Sequence, residues 1–357
     1  MPGAPRQCKS SEVQKLVELT DAVFRAGGGA SMGLEFPLFL TADNAPNCWV
    51  IAEGGTLVAH CGVVFKTLVI GAARVRVGLV GAVCTLPAYA GKGLGTALFD
   101  AVITHARRCG AGALLISGGR GLYQRRGARF VGRFRRHTLP HERWRHWQAH
   151  DLAWRPYASG DAPHLLALYE TESPHFVRTA QTLERAALAQ PCGRITMGAW
   201  RGDAMVAYCV YTCGADMLTI EEWRGDVGAV TQCATAFPPH WQGPLTFVLP
   251  AHAQQLAPVL LRTGTVADAT FSGTILVIDG PALLDQLRPY WEQHGLAHLH
   301  GLPHEQGFGM GDATTRITLT NDRAAAFLWG APDAPAMPAR WQHCLPLPLC
   351  EYGLDYI

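Results

Sequence analysis

Three glycines, Gly91, Gly93 and Gly95, alternate with Lys92, Leu94 and Thr96 just after an apolar run that stops at Pro87. Glycine has no Cβ to keep a ligand off the backbone, and a helix N-terminus leaves its first amides without partners. Together they describe a cradle for the pyrophosphate of a nucleotide cofactor, with Lys92 adding positive charge. The plain alternative is an ordinary strand–turn–helix, so the flanks must decide.

Upstream, Cys48–Glu53, Thr56–Ile70 and Arg74–Val80 read as strands separated by Gly54-Gly55 and Gly71-Ala72. Gly-Gly between apolar runs is a hairpin signal, and Val75, Val77 and Leu79 alternate with Arg74 and Arg76. An antiparallel meander therefore leads into the loop. That context and the missing G-x-G-x-x-G spacing exclude a Rossmann fingerprint. Gly93 after Lys92, where Ser or Thr is required, excludes a P-loop. Downstream, Leu94, Leu98, Val102 and Ala106 recur at helical spacing up to Gly110. Ala113–Ser117 reads as a short buried strand and Arg129–Arg133 as a final one.

Residues 45–135 resemble the GCN5-related N-acetyltransferase (GNAT) superfamily, whose co-substrate is acetyl-CoA. Ala90-Gly-Lys-Gly-Leu-Gly95 stands at its R-G-x-G-x-G/A pyrophosphate motif, with Ala90 where Arg or Gln is usual. Leu122-Tyr-Gln-Arg-Arg-Gly-Ala128 is similar to its "YxRxGF" element. The resemblance implies that the backbone of Val83, Cys84 and Thr85 lies along the pantetheine, that Gly91–Thr96 holds the pyrophosphate, and that Gly118 and Gly119 lie near the cofactor. It also implies Tyr123 as general acid, since a phenol of ordinary pKa about 10 stays protonated at neutral pH. The alternative for Tyr123 is packing, with one hydrogen bond to a carbonyl.

Further along, Ser11 with Gln14 has capping-box spacing before a helix with Val13, Leu16, Val17, Val23 and Phe24 on one face. Arg143–His150 reads as a connector. Beyond it helices at His164–Tyr169 and Leu183–Leu188, a hairpin from Arg194 to Tyr211, a strand at Leu218–Trp223 and a helix at Val227–Ala234 repeat the first order of elements. No glycine loop recurs. Thr270–Ile278 predicts a strand, Pro281–Trp291 a helix opened by proline, Arg316–Thr320 a strand, and Arg323–Trp329 a helix capped by Asn321 or Asp322. Tandem folds plus such a tail resemble the enhanced-intracellular-survival (Eis-like) acetyltransferases. The resemblance implies an α/β (α+β) fold class: a GNAT mixed sheet flanked by helices, a second degenerate GNAT fold, and a C-terminal sterol-carrier-like α+β domain. The expected boundaries are 1–142, 152–266 and 268–357. In that family the terminal carboxylate serves as base, a role Ile357 would carry here; a plain C-terminal strand is the alternative.

The expected function is acetyl transfer to a primary amine, on a small molecule or peptide, by direct attack. The competing class is a non-catalytic acyl-CoA sensor or lipid-binding protein. The 357 residues exceed one domain of about 150. Hydrophobic residues make up 48% and charged ones 16%, below the usual quarter, so a homo-oligomer is expected, a hexamer in the resembled family. A net charge of +2 gives no reason to expect a nucleic-acid partner. The stretch Val227–Leu261 lacks Lys, Arg, Asp and Glu up to its end, but prolines break it, and no membrane span is expected. The 11 cysteines are odd in number and unpaired by CxxC, as in a reducing compartment, and the cytoplasm is expected. His294, His298, His300 and His304 cluster without the spacing of a metal site, and no metal is expected. Cys84 is expected to pack rather than attack. Arg107, Arg108, Arg120, Arg125, Arg126, Arg129, Arg133, Arg135 and Arg136 form either a solvated face or a patch for the cofactor's 3′-phosphate. Glu35, Glu351 and Asp355 are either an acidic mouth or solvated surface.

Overall fold

The structure is a computed structural model that describes all residues except Met1, 148–150, 254, 263, 305, 306 and 313. The expected connector thus ends outside the described residues. The chain forms two units, one of residues 1–131, 272–347 and 357, the other of 132–271 and 348–356.

The first unit is built on a mixed sheet whose strands are β1 (Arg6–Gln7), β2 (Cys48–Glu53), β3 (Thr56–Ile70), β4 (Ala73–Thr85) and β5 (Ala113–Ile116), in that order. Gly54 and Gly55, both at positive φ (57° and 82°), close the β2–β3 hairpin as the twist of paired strands demands. The meander β1 to β4 is antiparallel, whereas β5 runs parallel to β4. Its four residues are all buried, as befits a strand covered on both faces. Strand Thr274–Val277 then pairs antiparallel with β5.

Helix Val13–Phe24 turns Leu16, Leu19 and Thr20 inward. Its start differs from the expected capping box: a 3-10 turn, Ser10–Glu12, precedes it, and the Glu12 carboxylate accepts from the Lys9 amide at 3.0 Å. Helix Leu94–Arg108 packs Leu98, Phe99, Val102 and Ala106 against Ala59, Cys61, Val63, Val80, Leu114 and Ile116. His105, Arg107 and Arg108 in its last turn complement the helix dipole.

The same unit holds a three-stranded antiparallel sheet, His300–His304, Gly307–Gly311 and Arg316–Thr320. The expected helix from Pro281 to Trp291 is two helices, Gly280–Gln286 and Arg288–Gln293, the second opened by Pro289, which has no amide to extend the first. Asp279 caps the first through the Ala282 amide at 3.0 Å. Helix Asn321–Trp329 follows Thr320 as its N-cap, one residue before Asn321 and two before Asp322, the expected caps.

The second unit carries a sheet in the order Thr265–Ala269, Phe134–Leu139, Leu245–Pro250, Leu218–Gly225, Ala204–Cys213, Ile195–Arg201, Ala153–Pro156. Its meander is antiparallel and Leu218–Gly225 runs parallel to Leu245–Pro250, the arrangement of β4 and β5.

Two expected strands are corrected. Of Thr270–Ile278 only Thr274–Val277 is strand, and the preceding Thr265–Ala269, not expected, is a strand of the other sheet. Arg129–Arg133 is irregular, with only Arg129 bridging Ile275, and Phe134–Leu139 forms the strand instead. The helix expected over Val227–Ala234 ends at Val230.

Candidate active site

Strand β4 outlasts its partner. Val77 through Val80 pair with Ala113 through Ile116, and beyond Ile116 the chain leaves β5 while β4 continues to Thr85. On its other edge β4 stays on β3, but out of step: Gly62 faces Gly81, whereas His60 faces Cys84. The extra residue is a β-bulge centred on Ala82, which sits at φ 48°. A left-handed conformation costs an alanine roughly 1–2 kcal/mol, so something must hold it there. The His60 ring, fully buried, bonds the Ala82 carbonyl through Nδ1 at 2.8 Å.

The divergence leaves Val83, Cys84 and Thr85 beside a cleft between the ends of β4 and β5. Ser117 closes the narrow end, its amide and hydroxyl both donating to the Val80 carbonyl, at 3.1 and 3.2 Å. Arg120 reaches the Val83 carbonyl at 3.5 Å. Cys84 is buried, and burial pushes its thiol up to about 12, so it is no nucleophile at neutral pH. This agrees with the expectation that it packs.

Past Thr85, Pro87–Tyr89 makes a 3-10 turn and the loop follows. Gly91 and Gly93 lie at φ 76° and 77°, with no atom within 4 Å of where a Cβ would stand. Gly93 is the N-cap of helix Leu94–Arg108 and supplies no capping side chain. The amides of Leu94, Gly95 and Thr96, in the first turn, have no intrahelical acceptor and can bind an anion. Lys92 stacks its ammonium 4.7 Å from the Tyr89 ring centre.

Tyr123 lies on the short helix Gly121–Gln124, its ring edge-on to Phe99 at 5.2 Å. A Cβ on Gly118 would stand 3.9 Å from that ring, so the loop after β5 and the tyrosine share one wall. Burial, with the neighbouring Cys61 adding, raises the phenol well above its ordinary value. Gly119 lies against the ring of the exposed Phe130, which would have to move for any side chain there. Opposite β5, a Cβ on Gly81 would stand 2.9 Å from the Ile357 main-chain oxygen and 3.0 Å from its carboxyl carbon.

Val83, Cys84, Thr85, Gly118, Gly119, Tyr123 and Ile357 therefore gather around the divergence of β4 from β5, with Gly91–Thr96 at the helix that follows β4. His60, Gly81 and Ala82 belong with them and carry no motif. Hairpin register would have set His60 opposite Val83; the bulge moves it to Cys84 and leaves no mark in the sequence. The three carboxylates named for an acidic mouth are divided between the units. Glu35 is ion-paired with Arg25, and Asp355, buried, accepts from Arg178 at 2.8 Å in the second unit. The arginine run is likewise divided. Arg107 donates to the Ile278 carbonyl, Arg126 clasps Asp100 twice at 2.7 Å, and Arg135 and Arg136 lie on a strand of the second unit. Among the described residues no group of three metal-ligating side chains is present, and His294 and His300 bond carbonyls.

Residues 14–128 match the model of the acetyltransferase (GNAT) family. The first unit carries the GNAT fold. A GCN5-related N-acetyltransferase from Anabaena variabilis ATCC 29413 superposes with a TM-score of 0.62 at 14% identity, covering 90% of this chain and 85% of that one. One from Kribbella flavida gives 0.60 at 14%, over 91% and 84%. Eis1 from Mycobacterium abscessus gives 0.57 at 14%, over 90% and 86%. At these identities the likeness is one of fold. No curated protein matches the chain. No helix among the described residues is long and apolar enough to cross a membrane.

Proposed function

We propose that the protein is an acetyl-CoA-dependent N-acetyltransferase that passes the acetyl group to a primary amine by direct attack. The observation that carries it is the departure of β4 from β5 at residues 81–85, followed at once by an open glycine loop at a helix N-terminus. The edge amides and carbonyls of Val83–Thr85 can pair with the two amides of a pantetheine arm. The loop donors suit its diphosphate, and the GNAT match over residues 14–128 supports acyl-CoA as the donor.

The neutral amine attacks the thioester carbon. A C–N bond forms, the C–S bond breaks, and the thiolate takes the Tyr123 proton. Burial that disfavours the phenolate would disfavour a thiolate in the same surroundings too, which offsets the cost of the transfer. The α-carboxylate of Ile357 takes the proton the nitrogen sheds. Direct transfer is supported by the burial of Cys84, which disfavours its thiolate.

The same proposal takes residues 152–266 as a second GNAT-like fold without cofactor and 268–357 as a sterol-carrier-like domain. Support for the first is the repeated strand order; support for the second is the three-stranded sheet with its helices. A cytoplasmic homo-oligomer completes it, supported by the low charge and the free cysteines. The test is CoA release from acetyl-CoA across a panel of polyamines, aminoglycosides and lysine peptides. Acetylation of one class is expected; tight acetyl-CoA binding with no release from any amine would leave a sensor instead.

A further inference from the structure

We propose that His60 is a positioning residue of this site: its imidazole holds the Ala82 carbonyl and thereby fixes the bulge that presents Val83–Thr85 to the acyl donor. The inference rests on the function proposed above for its consequence, but not for its geometry.

A carbonyl oxygen only accepts, so the 2.8 Å contact requires the proton on Nδ1. In a neutral ring Nε2 is then a lone pair, and it is buried with no partner among the described residues. Among the described residues no carboxylate pairs with the ring, and burial lowers its pKa to about 4, so it is neutral at working pH. The ring cannot turn to another acceptor. A Cβ on Gly62 would stand 2.9 Å from Nε2 and 2.7 Å from the Phe39 ring, so the glycine, the phenylalanine and the carbonyl box it in. A buried histidine that donates one hydrogen bond to a strained main-chain carbonyl is organising that backbone.

The location gives the bond its consequence. Residues two apart on a strand share a face, as do residues directly paired across two strands. His60 and Gly62 are therefore on one face with Gly81, the residue on which the Ile357 carboxyl group lies. Ala82 is next to Gly81, and His60 faces Cys84 in register. Without the His60 bond, Ala82 is free to return to the β region and the bulge to close. A one-residue slip exchanges the faces of Val83, Cys84 and Thr85 and swaps which of their amides point into the cleft. The site keeps its residues and loses their aim.

Three variants separate this role from packing. In His60→Asn the amide NH2 occupies the place of Nδ1 and can donate to Ala82; in His60→Gln it reaches toward Nε2; His60→Leu has no donor. With an amine that the wild type acetylates, kcat is expected to fall at least about tenfold in His60→Gln and His60→Leu. The KM for acetyl-CoA should change less, and His60→Asn should stay within about threefold of wild type. Asn and Gln behaving alike, or Leu matching wild type, would overturn the proposal. Carbon and nitrogen NMR of labelled histidine in the wild type reads the geometry without turnover or folding of any variant. The Nδ1–H tautomer is expected, and an Nε2–H or charged ring at neutral pH would overturn it. A wild type that acetylates no amine sinks the transferase reading instead, and the tautomer still decides whether His60 holds the bulge.

Discussion

Two parallel strand pairs, one in each unit, come apart in the same way and end differently. In the first, β4 and β5 part after Val80 and Ile116; in the second, Leu218–Gly225 and Leu245–Pro250 part after Ile220 and Phe247. Beyond the first divergence come a bulge, three residues that β5 does not pair, and glycines in open space. At the second, a buried ion-pair network stands on the parting strand, beside a pocket lined by Glu222, Arg224, Val248 and Pro250. Arg178 donates to both Glu222 oxygens at 2.8 Å and to Asp355 at 2.8 Å, stacks 3.8 Å from the Tyr169 ring centre, and shares Glu222 with the Tyr208 hydroxyl. Gly353, at φ 50°, lies so close over the Glu222 carboxylate that no Cβ fits. Asp226 caps the short helix that follows, where the first unit has Gly93. The comparison teaches that divergent strands make only a gap; whether it is a site depends on what the sequence puts there.

The largest effect expected from breaking this contrast is at the ion-paired divergence. Arg178→Met leaves two carboxylates buried without their cation and should cost about 3–5 kcal/mol of stability, read by urea unfolding. A loss under about 1 kcal/mol would show that the network is not holding the second unit together. The same network sets an acid limit. Burial pushes the Glu222 carboxyl up, but the Arg178 charge and hydrogen bonds outweigh it and the pKa lies below the ordinary value. Its stabilisation is therefore complete above the unfolded carboxyl's range and is lost as pH falls through the lower folded value. Unfolding free energy should decline below about pH 4.5 in the wild type, and the decline should shrink in Arg178→Met.

In the open gap, Tyr123→Phe should lower kcat about 10²-fold or more while acetyl-CoA affinity stays unchanged. Equal kcat in the two proteins would remove the phenol from the mechanism. Adding residues after Ile357 converts its carboxyl group to an amide, and turnover should drop about tenfold or more with CoA affinity retained. Gly93→Val asks a β-branched residue to hold φ 77°, so the loop relaxes and CoA affinity should fall about tenfold by calorimetry. Unchanged affinity would mean that the loop does not grip the donor.

Much of this was legible in the residues. Gly54-Gly55 marked a hairpin, Gly91 to Gly95 marked the loop, and the alternation of Val75, Val77 and Leu79 marked a half-buried strand, because each signal is local. The exchange of strands was not legible: Thr274–Val277 and Phe134–Leu139 have similar β-forming composition, and only tertiary pairing decides which sheet takes which. The Ala82 bulge was hidden for the same reason, since alanine carries no preference for positive φ and its support comes from His60, 22 residues away. Asp355 looked available because its arginine partner, Arg178, is 177 residues away in sequence.

The decisive measurement is the stoichiometry of CoA binding by titration calorimetry, with hydrogen exchange to locate it. One CoA per chain is predicted, with amides protected at 81–85 and 91–96 and none newly protected at 218–225. No binding, or protection centred on the second strand pair, would contradict the account.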